Sequence, residues 1–214
     1  MKYMYLVSFL CFSTIIFSQK KVIKTFETSL QEIEISTIGL DNFVIENSTS
    51  NFIEITLFAE NPNEKHILFN TEKDVIQIEF IIEALKSEET IFRKFITERL
   101  QRASAIIKIP KGKIVTIFGE NINIESKNYQ GKTAIYIEEG IVKLNEVKEN
   151  TIIKMYVGSI YAALKNVNID VTSKTGKIMI DDILYEKTYQ KKSEKNQFNF
   201  TVSSLKANIF LSTQ

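Results

Sequence analysis

The feature that most constrains the fold is a repeat of apolar residues every 18 positions in the C-terminal half of the chain. Four columns follow this step: Ile106, Ile124, Val142, Ile160 and Ile178; Ile117, Ile135, Ile153 and Val171; Val115, Thr133, Thr151 and Ile169; and Leu144, Ala162 and Ile180. Gly140, Gly158 and Gly176 keep the same step, and we expect each at a corner that has no room for a Cβ. Like residues stacked at a constant step are typical of a solenoid, in which successive coils bury their apolar side chains against one another.

Apolar and polar residues alternate in short segments throughout the chain, for example in Ile53–Leu57, Ile76–Phe80 and Phe198–Val202. Such alternation is typical of strands with one buried face. An antiparallel sandwich would also alternate, but it gives no reason for one position of every 18-residue unit to stay apolar. We therefore predict an all-β fold, a β-solenoid (β-helix) with coils of about 18 residues.

Two segments interrupt this pattern. Residues 87–102 place Phe92, Phe95, Ile96 and Leu100 on one helical face, which predicts a short inserted α-helix. We expect it to pack on the solenoid, while a helix lying on a membrane surface is the alternative.

Further along, Phe198, Phe200, Val202, Ala207 and Ile209 align with Ile169, Val171, Ser173, Ile178 and Ile180 at a step of 29. The 11 residues by which this step exceeds 18 are assigned to a solvent-exposed loop at 186–196.

The N-terminus reads as a secretory signal peptide, residues 1–18, because Lys2 precedes an apolar run that ends before Ser18. Residues 19–214 then form a single β-solenoid domain with no later segment apolar enough to span a membrane. Its predicted parts are looser coils at 22–82, a helical insertion at 83–103, regular coils at 104–185, the loop at 186–196 and a final coil at 197–214. We expect an exported protein that is periplasmic, on the cell surface or extracellular.

Charge and cysteine content exclude several kinds of partner. The chain carries 27 Lys and Arg against 26 Asp and Glu, and removal of Lys2 with the signal makes the remainder neutral. No net field would attract nucleic acid or an anionic membrane. The only cysteine, Cys11, lies in the signal, so the mature chain has no disulfide or thiolate metal site.

The stretch from Ile106 to Leu211 resembles the DUF4097/DUF2807 group, also called head-GIN or adhesin-like domains, which are common in exported proteins of Bacteroidota. The resemblance rests on Ile-Pro-Lys-Gly at 109–112 and on coils that end like Gly-Lys-Ile-Met-Ile at 176–180. The usual Gly-Asp corners of that group are replaced here, for example by Gly140-Ile and Gly158-Ser. The resemblance implies a right-handed, single-stranded β-solenoid and says little about activity.

A search for catalytic chemistry finds no convergent set of residues. His66 is the only histidine, which rules out a Ser-His-Asp triad and a multi-histidine metal site. The carboxylate pairs Asp181-Asp182 and Glu138-Glu139 could serve a glycosidase, but neighbours on one strand point to opposite faces. We expect no enzyme activity, no metal and no cofactor; a polysaccharide-degrading enzyme is the least favoured alternative.

One surface cluster is a candidate binding site. If Ile135, Ile137, Ile153 and Met155 point inward, then Tyr136, Glu138, Lys154 and Tyr156 point outward on neighbouring coils, with Tyr136 over Lys154 and Glu138 over Tyr156. Rings beside charged groups could bind a glycan or an envelope protein, and they could equally stabilise an exposed sheet by cross-strand contacts alone. The sequence therefore favours a binding or adhesin-like module; a structural envelope scaffold with a protein partner is the alternative.

Overall fold

The structure is a computed structural model that describes residues 20–59, 61–82, 103–193 and 198–213. Within these ranges the chain is all-β apart from a single-turn 3-10 helix at Glu64–His66, so the predicted fold class is confirmed at this level. The predicted signal peptide and the predicted helix at 87–102 lie outside the described residues. No helix in the described ranges has the length and apolar character needed to cross a bilayer.

In the described part of the chain, fifteen strands form one sheet. They are β1 (Lys20–Glu27), β2 (Glu32–Ser36), β3 (Asn42–Asn47), β4 (Phe52–Ala59), β5 (Ile67–Glu72), β6 (Val75–Phe80), β7 (Ser104–Ile109), β8 (Ile114–Lys127), β9 (Thr133–Val147), β10 (Thr151–Leu164), β11 (Val167–Ser173), β12 (Ile178–Ile180), β13 (Ile183–Tyr185), β14 (Thr188–Lys191) and β15 (Phe198–Ser212). The main path through the sheet is β1-β4-β7-β3-β8-β9-β10-β15-β11-β14. The first half of β8 also pairs with β2, which continues through β6 to β5.

The centre of the sheet is a parallel stack in which like residues lie beside like. β9 pairs with β8 and β10 at a step of 18 residues, as Ile135 does with Ile117 and Ile153. One inward column runs through Ile35, Ile117, Ile135, Ile153, Val202 and Val171. Every member of that column is at most 1% exposed. The 18-residue step of the sequence is therefore the spacing of paired strands in the core.

The long strands turn a corner near their middle. In β10 both Met155 and Ile160 are buried, although their numbers differ by five. In a straight strand such residues point to opposite faces, so the strand changes its inward face between them. Gly158 lies in this bend with φ 134°, and Gly140 occupies the same place in β9 with φ 141°. A Cβ at Gly158 would collide with the Gly140 carbonyl, which confirms the predicted need for glycine at these two corners.

The order of the last strands differs from the prediction. β15 lies between β10 and β11, so Val202 separates Val171 from Ile153 instead of following it at the end of the stack. The step between β11 and β15 is 31 residues, as Ile169 pairs with Phe200, and the predicted step of 29 is wrong. A slip of two residues keeps every side chain on its face, so apolar patterning cannot distinguish the two registers.

Two smaller predictions are also corrected. Ile106 does not continue the column of Ile124, because Ile124 pairs with Phe43 of β3 and Phe43 pairs with Ala105 of β7. Ile106 is half-buried and lies on the outer face. Within the predicted loop at 186–196, residues 188–191 form β14, which pairs with the outer edge of β11. β14 therefore occupies the outer edge of β11, and β15 pairs with its inner edge.

The inward assignment predicts a large stability difference between two adjacent isoleucines. Ile153 is fully buried, whereas Ile152 is 42% exposed. Ile153→Asp should lower the free energy of unfolding by roughly 3–5 kcal/mol, because it buries an unpaired charge. Ile152→Asp makes the same chemical change on the outer face and should cost about 1 kcal/mol. Urea unfolding of both variants measures the difference, and equal costs would contradict the assignment of inward columns.

The corner geometry predicts a second difference. Gly158→Ala introduces both an unfavourable φ and a collision with the Gly140 carbonyl, and should cost about 4 kcal/mol. Gly112 also has a positive φ, of 83°, but an added Cβ there meets nothing within 4 Å. Gly112→Ala should therefore cost only about 1–2 kcal/mol. Thermal unfolding of the two variants separates steric collision from backbone strain; a Gly158→Ala protein as stable as Gly112→Ala would contradict close stacking at the corner.

Candidate binding surface

The four predicted site residues lie together on the outer face of β9 and β10. Lys154 pairs directly with Tyr136 in the parallel register. The pairs on either side of Tyr156, Met155 with Ile137 and Val157 with Glu139, place Tyr156 level with Glu138.

Tyr136 lies between an aromatic ring and a cation. The Phe118 ring of β8 stacks on it with a centroid distance of 5.5 Å and an interplanar angle of 17°. From the other side, Lys154 places its Nζ 5.6 Å from the centroid of the Tyr136 ring. Stacked rings and a cation over a ring face are both favourable contacts. Three successive strands thus contribute one continuous outer row.

Tyr156, one strand further along, also lies beneath a cation. Lys206 of β15 places its Nζ 5.5 Å from the centroid of the Tyr156 ring. The Ser204 hydroxyl donates to the Tyr156 carbonyl oxygen over 3.4 Å, which ties the two strands together at the same point. Tyr156 nevertheless remains 51% exposed, so about half of the residue is accessible to another molecule.

Both tyrosines border a shallow, open groove of about 620 Å³, which we call the tyrosine groove. Its walls include Tyr136, Glu138, Lys154, Tyr156, Lys174 and Ser203. Directly beneath, Ile135, Ile153 and Met155 are buried in the core, so the outward side chains stand on a packed sheet. The groove is therefore formed before any ligand arrives, which lowers the entropic cost of binding.

Sequence reasoning missed Phe118 and Lys206. The first could have been found, because it precedes Tyr136 by the same step of 18. Lys206 could not be found, because the step of 29 places the final coil at the end of the stack. The step of 18 makes Lys174, not Lys206, the expected neighbour of Tyr156 on the next strand. In the structure β15 lies between β10 and β11, and Lys174, which directly follows β11, lines the groove beyond β15.

The carboxylate pair Asp181-Asp182 has a structural role. Both residues have positive φ, 47° and 65°, and they form the two-residue turn between Ile180 and Ile183 of the β12–β13 hairpin. The hydroxyl and the backbone N–H of Thr213 donate to the Asp181 carboxylate and lower its pKa. Asp181 is therefore held by a contact that ties the turn to the end of β15.

His66 has a structural contact at the single-turn helix. The His66 Nδ1 accepts a hydrogen bond of 3.2 Å from the Asn63 backbone N–H, which closes the single-turn helix. Within the described ranges, no group of three or more His, Cys, Asp or Glu side chains is placed to hold a metal ion.

The chain matches no protein-family model and no curated protein sequence. It does share its fold with a "putative cell adhesion protein" of Clostridium sporogenes, at a TM-score of 0.56 and 14% identity over 92% of this chain and 100% of that one. A "putative adhesin" of Bacteroides fragilis aligns over 92% of this chain and 98% of its own, at 11% identity, with a TM-score of only 0.34. The first similarity shows a common architecture; the second is too low to add to it.

Proposed function

We propose that this chain is an exported, non-enzymatic binding module that holds a glycan or an envelope protein in the tyrosine groove. The observation that carries the proposal is the outer row of Phe118, Tyr136 and Lys154, with the exposed Tyr156 in the adjacent row of the same packed sheet. Aromatic rings combined with hydrogen-bonding charges suit a ligand with both apolar faces and polar edges. The shared fold with a protein named for cell adhesion supports the same function class.

We further propose that the sheet winds as a right-handed β-solenoid. In-register parallel pairing of β8, β9, β10 and β15, together with the change of inward parity at Gly140 and Gly158, is what a coil with corners requires. The handedness rests on the resemblance to the DUF4097/DUF2807 group. Membership of that group, and a source in Bacteroidota, remain part of this proposal.

A structural scaffold in the envelope is the second candidate. It is favoured by apolar side chains exposed beside the C-terminal end of the stack, where Ile183 is 58% and Leu184 is 61% exposed. The nearby Tyr161 and Phe210 rings stack at 4.9 Å and leave Tyr161 42% exposed. Exposed apolar patches often mark protein interfaces. A scaffold would bind a protein through this second face and would not depend on the tyrosine groove.

Removing both groove tyrosines distinguishes the two functions. Tyr136→Ala/Tyr156→Ala should leave the fold unchanged, because both rings are on the outer face, and should weaken ligand binding at least about tenfold, since each stacked ring contributes on the order of 1 kcal/mol. The test is a glycan array and a pull-down from envelope fractions. Tyr161→Ala is the matched control, an exposed aromatic on the other face. If only Tyr161→Ala reduces capture of a protein, the scaffold function is correct and the groove is not the site.

Export predicts a defined N-terminus. The full-length chain expressed in a bacterium with a Sec pathway should lose residues 1–18 and begin at Gln19, because the apolar run before Ser18 has the length of a signal h-region. Intact-mass measurement of the protein from the periplasm or medium checks this. Replacing Phe9 and Leu10 by Arg breaks the apolar run and should keep the chain unprocessed in the cytoplasm; an unprocessed wild-type chain would contradict export.

A further inference from the structure

The charges around the tyrosine groove are segregated along the stack. Glu138 and Glu120 lie side by side at one end, since the pairs of Gly119 with Ile137 and of Asn121 with Glu139 place them level. At the other end, Lys154 belongs to β10, Lys206 belongs to β15, and Lys174 directly follows β11, the next strand in the order. A chain with a formal net charge of +1 thus has a local positive region at the lysine end of its groove.

None of these three lysines is neutralised by an acid among the described residues. The ion pairs there engage other lysines, as Lys108 does with Glu54 at 2.6 Å and Lys127 with Glu46 at 2.9 Å. Lys154 and Lys206 lie over tyrosine rings instead. A ring face attracts an ammonium group but offers no lone pair on a heteroatom, so the N–H donors of Lys154 and Lys206 remain available to an anion.

We propose that the ligand of the tyrosine groove is an anionic polysaccharide, with its carboxylate or sulfate groups on Lys154, Lys206 and Lys174 and a sugar ring on the exposed Tyr156. The proposal rests on the glycan-binding function proposed above and narrows it to one chemical class. Charge complementarity is the reason: the ammonium groups recognise the anion, and the rings contact the apolar faces of the sugars. The carboxylates of Glu138 and Glu120 orient the ligand by repelling its charged groups from the other end.

Three polymers test the class of ligand. Polygalacturonate carries carboxylates, dextran sulfate carries sulfates, and unmodified dextran is neutral; each is immobilised and the chain from Gln19 onward is passed over it. We expect binding to one or both anionic polymers and at least about tenfold weaker binding to dextran. Binding should fall as salt rises to about 0.5 M, because the ammonium groups are solvent-exposed and their attraction is screened. Salt-independent binding that does not discriminate against dextran would overturn the proposal.

Charge variants locate the interaction. Lys154→Gln/Lys206→Gln should weaken binding to the anionic polymer by about tenfold, since each exposed ion pair contributes up to about a factor of five. Lys143→Gln is the matched control. It removes a lysine from the second half of β9, beyond the Gly140 corner, where Lys143 pairs with Glu125 at 3.8 Å. Glu138→Gln should strengthen binding. An equal loss of polymer binding in Lys143→Gln would mean that the polymer is attracted to lysines anywhere on the surface, and would overturn the proposal.

The outcomes separate this inference from the function on which it rests. If neutral and anionic glycans bind equally, and Tyr136→Ala/Tyr156→Ala abolishes binding while the lysine variants do not, the groove is a glycan site and only the anionic class is wrong. If no polysaccharide binds and the tyrosine variant is indistinguishable from wild type in every pull-down, both proposals fail together.

Discussion

The parallel backbone pairing of β8, β9, β10 and β15 is the interaction on which the rest of the molecule depends. Parallel strands in register bring the same position of each strand side by side, so a buried position must be apolar in all of them. The column through Ile117, Ile135 and Ile153 meets that requirement. Close pairing also fixes the corners, because the carbonyl of Gly140 occupies the space that a Cβ on Gly158 would need.

The same register orders the outer surface. Residues that share a position share a row, so Phe118, Tyr136 and Lys154 contact one another although 18 residues separate each from the next. At the start of the strands, Asn168, Asn199 and Asn150 form a ladder in which the Asn168 amide donates to Asn199 and the Asn199 backbone N–H donates to Asn150, at 2.9 and 2.8 Å. The candidate binding surface is therefore a consequence of how the core is stacked.

Much of this could be predicted from the sequence, and the errors in the order of the last strands share one physical cause. Periodicity reports which face a residue occupies, so the burial of Ile153 and Ile160 and the exposure of Tyr156 follow directly. It does not report which strand lies alongside, because any even shift preserves facing. For that reason the position of β15 and the contact of Lys206 with Tyr156 were out of reach, whereas the contact of Lys154 with Tyr136 was not.

The two ends of the stack indicate which surface is left for recognition. Parallel strands with open edges invite pairing with other chains, and both ends here are covered by antiparallel strands. At the N-terminal end β1 pairs with β4, Phe26 of β1 stacks on Phe69 at 4.3 Å, and Lys24 donates to the Ile67 carbonyl of β5 at 2.8 Å. At the other end the short strand β14 covers β11. The edges of the parallel strands are thus paired, and the tyrosine groove is where side chains on the outer face combine exposed rings with lysines that have no acidic partner among the described residues.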